Sequence, residues 1–93
     1  MNGTRPRNAW SRAQVRAARK VPLKPVLERL DYELTPTGRG NFSIIADGRD
    51  ILVREHFYVV LHEDEGGNAI DFLVKVHGLN FNEAIRLLLA DPA

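Results

Sequence analysis

Gly66-Gly67-Asn68-Ala69-Ile70-Asp71-Phe72-Leu73-Val74-Lys75-Val76-His77-Gly78-Leu79-Asn80-Phe81-Asn82-Glu83-Ala84-Ile85-Arg86-Leu87-Leu88 is the stretch whose reading decides the fold. It reads as a glycine loop followed by two short helices. Asn68 caps the first helix, with Asp71 three residues on. The Asn oxygen satisfies an orphan amide, and the carboxylate complements the positive helix end. Ala69, Phe72, Leu73 and Val76 follow the i, i+3, i+4, i+7 spacing, so they share one face. Gly78 suits the left-handed residue just past a helix C-terminus. Asn80 and Glu83 form a second capping pair, with Asn in place of the usual Ser or Thr. Phe81, Ala84, Ile85, Leu88 and Leu89 repeat the apolar pattern. Helices this short do not stand alone in water, so both must pack on something, and a sheet is the expected support.

The residues upstream supply that sheet. His56-Phe57-Tyr58-Val59-Val60-Leu61-His62 is rich in aromatic and β-branched residues and reads as the strongest strand. Asp50 to Arg54 is another, with Ile51 and Val53 on one face. Asp47-Gly48 is a hairpin turn joining it to a strand over Asn41 to Ala46. Pro36-Thr37-Gly38-Arg39-Gly40 is a turn that follows a strand over Glu33 to Thr37. Glu63-Asp64-Glu65-Gly66-Gly67 is read as an acidic loop. Further upstream, Pro25 suits the first turn of a helix ending near Leu30, with Leu23, Val26, Leu27 and Leu30 as its apolar stripe. Ser11 to Lys20 is a short helix capped by Ser11 and Gln14, and Arg12, Arg16 and Arg19 line one of its faces. Met1 to Ala9 has no periodicity and is expected to be disordered. The expected fold is α+β. About four antiparallel strands form a small meander, preceded by one or two short helices and covered by two C-terminal helices.

The run Gly66-Gly67-Asn68-Ala69-Ile70-Asp71-Phe72-Leu73, followed by Phe81-Asn82-Glu83-Ala84, resembles the end of the zinc-ribbon domain of bacterial replicative DNA primases. There a Ser-Gly-Asn-Ala-Ile-Asp-Phe-Leu run follows the last zinc cysteine, and a Phe-x-Glu-Ala helix comes next. The resemblance covers about Val21 to Leu89, and its specific part is the C-terminal third. In that family three cysteines and one histidine hold a structural zinc. Counting back from Asn68, the resemblance places the last Cys-x-x-Cys pair at Val60 and Glu63, and the first pair near Ile44 and Asp47. None of these side chains rebuilds the site, which implies that apolar packing replaces the metal. The chain is similar to the zinc-free form of this domain that precedes a topoisomerase-primase-type (Toprim) catalytic domain in proteins of plasmids and other mobile elements. Their loops read Gly-Glu-Gly-Gly-Asp-Val-Ile-Asp-Phe. The resemblance therefore implies a role in DNA replication or mobile-element maintenance, with single-stranded DNA as the favoured ligand and a primase or Toprim-type catalytic domain, or another replication protein, as a candidate partner.

Composition bounds the remaining possibilities. With 93 residues, the chain makes one small domain, and 44% hydrophobic residues suffice for a modest core. There is no cysteine, so neither a disulfide nor a thiolate metal site is possible. His56 and His62 are six apart on what reads as one strand, and His77 ends a helix, so no metal-ligand spacing emerges. No apolar run approaches the roughly 20 residues a membrane span needs, and the Arg-rich start lacks a signal-peptide core, so a cytoplasmic, non-membrane protein is expected. No nucleophile sits with a base, and there is neither a phosphate loop nor a carboxylate cluster for two metals. The reading is non-catalytic, with no cofactor.

The net charge of +1 hides an asymmetry. Arg5, Arg7, Arg12, Arg16, Arg19, Lys20 and Lys24 precede the first acid, Glu28, while residues 25–93 hold six cations against all twelve acids. Residues 1–20 therefore read as a basic arm and residues 21–93 as the domain proper. A basic arm on an acidic body fits a polyanion partner, and fits equally a solvated tail. The candidate nucleic-acid contacts are Arg5, Arg7, Arg12, Arg16, Arg19 and Lys20 of the arm, with Arg39, Arg49, Arg54 and Tyr58 on the sheet. Arginines fork onto phosphate oxygens, and an aromatic beside them offers a stacking platform. The competing reading of Tyr58 is a core residue. A protein-docking domain that has lost template recognition along with its zinc is the alternative function.

Overall fold

Tyr58, Phe72, Leu23, Leu27, Ile51, Leu73 and Ile85 are the largest side chains withdrawn from solvent, and they come from the sheet and from helices on both sides of it in sequence. The computed structural model describes residues 10–90. Helices α1 (Arg12–Arg19) and α2 (Leu23–Arg29) lead into five strands: β1 (Thr35–Gly38), β2 (Asn41–Ala46), β3 (Arg49–Arg54), β4 (Phe57–Val60) and β5 (Glu65–Gly67). Then come α3 (Ala69–Asp71), which continues as a π-helical turn over Phe72–Val76, and α4 (Phe81–Leu89). The fold is α+β, and the C-terminal helices pack over one antiparallel sheet.

Each strand pairs with its chain neighbour in the order β1-β2-β3-β4-β5. The sheet has one strand more than the sequence indicated. Glu65–Gly67, read as a loop, pairs with β4 through Tyr58–Gly67, Val59–Gly66 and Val60–Glu65. Gly-Gly has no strand preference of its own; its value here is close approach. A Cβ on Gly66 would lie 2.6 Å from the Tyr58 carbonyl oxygen, and one on Gly67 would lie 2.7 Å from the Asp71 Cβ. The strand expected over Glu33 to Thr37 forms over Thr35–Gly38, with an irregular register between Pro36 and Gly38. β4 is shorter than the run read as a strand: His56 and His62 lie in the turns at its two ends, not on the strand. At the β2–β3 hairpin, Asp47 (φ 53) and Gly48 (φ 74) both take the left-handed backbone that a two-residue primed turn requires.

The pleat sorts the sheet residues into two faces. Ile44, Ala46, Ile51, Val53, Tyr58 and Val60 point toward the helices and are buried. Ile44, Ile51 and Val60 lie side by side across β2, β3 and β4. Thus Ile44 and Val60, two of the four positions that the primase resemblance assigns to zinc ligands, sit in a closed apolar row. Among the described residues no group of three or more His, Cys, Asp or Glu is placed to hold a metal ion.

All three expected caps form. Ser11 with Gln14, Asn68 with Asp71 and Asn80 with Glu83 each make the reciprocal pair of side chain–backbone hydrogen bonds. Ala69, Phe72, Leu73 and Val76 are buried as one face. The His77 N–H donates to the Phe72 carbonyl (3.0 Å), one residue further back than in an α-helix, and Gly78 (φ 91) then reverses the chain. On α4, Ala84, Ile85 and Leu88 are buried, whereas Phe81 is 48% exposed and Leu89 lies at the margin. Replacing Asn68 by alanine removes the cap of the segment that carries Phe72. The expected loss is about 1 kcal/mol, read as a drop of about 4–8 °C in the melting temperature of a domain this size. Asn68→Asp should keep most of it.

The N-terminal helix is part of this body. Ala18 is fully buried, α1 contacts α3 and α4, and the Trp10 Nε1–H donates to Asn82 Oδ1 at 2.9 Å. A boundary after Lys20 therefore does not separate a free arm from the domain. The Leu23 N–H is satisfied by the Glu55 carbonyl in the β3–β4 turn (2.8 Å), which ties α2 to the sheet.

Candidate nucleic-acid interface

The packing of α1 on α3 and α4 brings an arginine face beside two aromatic rings. Arg12, Arg16 and Arg19 recur at four- and three-residue intervals, so one side of α1 carries all three, and all are exposed. Trp10, Arg12, Val15, Arg16 and Arg19 line an open hollow of about 330 Å³. Arg19 also borders a second hollow, of about 410 Å³, together with Asn68, Ile70, Asp71, Val74 and Phe81. The two share Arg19 and so form one continuous surface. It runs from Trp10 along the arginines to the exposed Phe81 at the start of α4.

Among the described residues, no acid pairs with the charges on this surface. The ion pairs among the described residues join Lys24 to Glu28, and Arg49 to Glu63 and Glu65; none involves α1. Arg16 and Arg19 in the last turn of α1 complement the negative end of the helix dipole. Arg12 does not: it is the first helical residue, at the positive end, where a cation is unfavourable. Helix electrostatics therefore leaves Arg12 unexplained. Among the described residues Asp71 is the one acid lining the two hollows, and its carboxylate is engaged by the Asn68 N–H at 3.1 Å.

The other expected contacts fall elsewhere. Arg5 and Arg7 lie outside the described residues. Lys20 caps the C-terminus of α1 and is exposed. Arg39 (φ 54) is at the tip of the β1–β2 turn, and Arg54 ends β3; both are exposed but belong to the sheet, not to the α1 surface. Arg49 is a correction. Its guanidinium lies 3.4 Å from Glu63 and 3.5 Å from Glu65, so two carboxylates already neutralise it. Tyr58 is a second correction. It is 1% exposed, on the helix side of β4, and packs edge-on against Phe72 with ring centroids 5.4 Å apart, so it offers no stacking platform. Burial, together with Glu65 and Asp71, pushes its hydroxyl up to about 12.

The outward aromatic of β4 is Phe57, 52% exposed and stacked with His56 at 4.1 Å. Trp10 and Phe81 were not among the sequence candidates. Trp10 immediately precedes the Ser11 cap, and Phe81 is the first residue of its helix; both positions keep a ring at the margin of a helix face. That hint is weak, because their adjacency to the arginines comes from the packing of α1 on α4. His77, at the end of the π-helical turn, shares a hydrogen bond of 2.9 Å between its Nδ1 and the Tyr32 hydroxyl. No helix among the described residues is long and apolar enough to cross a membrane. Comparison with family models, with curated proteins and with solved structures finds no match for this chain.

Proposed function

We propose that this chain is a non-catalytic nucleic-acid-binding module of the cytoplasm, related to the template-recognition domain of bacterial primases and serving DNA replication or mobile-element maintenance. The observation that carries the reading is the α1 surface: three exposed arginines with no acidic partner among the described residues, flanked by Trp10 and the exposed Phe81. Guanidinium groups spaced along a helix match phosphates spaced along a strand, and the rings can stack on unpaired bases. Single-stranded DNA is the favoured ligand because stacking requires bases free of a partner strand. A primase or Toprim-type catalytic domain, or another replication protein, is the protein partner this reading implies.

Fluorescence anisotropy with a labelled single-stranded oligonucleotide, read at several salt concentrations, tests it. Binding should weaken steeply with salt. Arg12→Ala, Arg16→Ala and Arg19→Ala combined should flatten the slope of log K against log salt by about 2, as expected for three phosphate contacts on a single strand. Phe81→Ala should weaken binding by about 1–3 kcal/mol with the slope unchanged, since stacking releases no counterion. Point substitutions are needed because removing residues 1–20 would uncover the surface that Ala18 fills. No binding at low salt, or binding indifferent to the three arginines, would overturn the proposal.

A docking domain is the second reading, and one observation favours it. The sheet face opposite the helices exposes Ile45, Phe57, Val59 and Leu61. Apolar residues gathered on one open face mark an interaction surface more readily than the same residues scattered singly.

A further inference from the structure

β4 and its extension read Phe57-Tyr58-Val59-Val60-Leu61, with no polar alternation. An antiparallel strand with one wet face alternates; an unbroken apolar run belongs to a strand covered on both faces. The helices cover only the side of Tyr58 and Val60. On the other side Ile45 is 70% exposed, Val59 49% and Leu61 39%, with Leu52 half-buried among them.

We propose that a second copy of this chain covers this face. The pairing is two-fold, with its axis lying between the two sheets, across the strands, at the level of Leu52 and Val59. The charge pattern selects that axis. Asp50 and Arg54 stand on the open face of β3, one on each side of Leu52. Residues two apart on a strand are about 6.6 Å apart along it, and packed sheets lie about 10 Å apart. An axis along the strands would set Arg54 over Arg54 and Asp50 over Asp50. An axis across them reverses the second β3 and sets each Arg54 over Asp50 of the other copy.

The rest of the face obeys the same operation. Leu52 pairs with Val59 in the β3–β4 register, and this central row meets itself across the axis. Leu61, whose N–H bonds the Asp50 carbonyl, stands at the Asp50 end of the face, whereas Phe57 pairs with Arg54 at the other end. Phe57 therefore meets Leu61 of the second copy. Glu33 borders the same hollow as Ile45 and Asp50, and Arg39 lies at the turn beside Asn41, at the Arg54 end. An acidic end thus meets a basic end twice over, the self-complementarity that an isologous interface needs. The arginine face of α1 lies on the helix side of the sheet and stays open in such a dimer. The proposal is independent of nucleic-acid binding.

Sedimentation velocity on the full chain across the micromolar range tests it. The expected species is a dimer, twice the 10.5 kDa of one chain. Val59→Lys places a charge on the axis and should give a monomer whose circular dichroism and melting stay those of a folded chain. Asp50→Arg alone and Arg54→Asp alone set like charges together and should each weaken the dimer by about tenfold or more. Combined in one chain they restore the complementarity in reverse, and the dimer should return to within about threefold of the original. A monomer at every concentration, a dimer untouched by Val59→Lys, or a double variant no tighter than the single ones would each overturn the proposal.

Discussion

Phe72→Ala is expected to cost the fold about 3–5 kcal/mol, the largest loss from any single truncation considered for this chain. Phe72 is fully buried and stands between the two tyrosines. Its ring meets Tyr32 edge-on at 5.8 Å and Tyr58 edge-on at 5.4 Å. Each such pair adds about 0.5–1.5 kcal/mol to the burial of the ring. Alanine therefore leaves a cavity and breaks both pairs. Tyr32 then loses support where it also holds His77, at 2.9 Å, so the helix end at Gly78 loosens as well. A domain of this size is stable by roughly 5–14 kcal/mol in all, so much of the margin goes. Urea unfolding followed by fluorescence of the single tryptophan, Trp10, measures the change. The midpoint should fall with little change in slope. Phe72→Leu, which fills most of the space, should cost well under half as much. A loss below about 1.5 kcal/mol for the alanine variant would mean that the aromatic cluster is not closed in solution.

The structure bears out the α+β meander under C-terminal helices, and the finer readings that it bears out are local. Ser11 with Gln14, Asn68 with Asp71 and Asn80 with Glu83 each act across three residues, and Asp47-Gly48 and Gly78 act through their own backbone. Such features need only the neighbouring sequence. β5 was not legible because Gly66 and Gly67 gain strand character only from β4, through an approach that a Cβ would block. Arg49 was misread because its carboxylate partners come from 14 and 16 residues further on. Tyr58 turned on parity. In Phe57-Tyr58-Val59-Val60 both faces are apolar, and a shift of one residue exchanges every side chain between the core and the open face. The arginine spacing on α1 was plain, but the rings beside it were not, since Trp10 and Phe81 meet that face only through tertiary packing.

The burial of Tyr58 predicts a loss of stability at high pH. Its hydroxyl is withdrawn from solvent and has no hydrogen-bond partner among the described residues. Burial disfavours the phenolate most, and Glu65 and Asp71 add repulsion that Arg49 only partly offsets, so the group rises to about 12 from 10.0. Below pH 10 the hydroxyl is protonated in both the folded and the unfolded chain, and this contribution is fully present. Between 10 and 12 the unfolded chain gives up its proton while the folded chain holds on, and stability falls as the pH rises. The difference corresponds to about 2–3 kcal/mol, lost by the time the pH passes the folded value. Tyr58→Phe removes the titrating group and with it this part of the alkaline slope. At pH 7 the same substitution deletes a buried hydroxyl that bonds to nothing, so the variant should be as stable as the parent or more so. Tyr32 is also raised by burial and by Asp47, so its contribution remains in the variant and serves as the internal reference. Denaturant unfolding of both proteins from pH 8 upward separates the two tyrosines. Equal alkaline losses in parent and variant would show that Tyr58 ionises as freely in the folded chain as in the unfolded one, contrary to its place against Phe72.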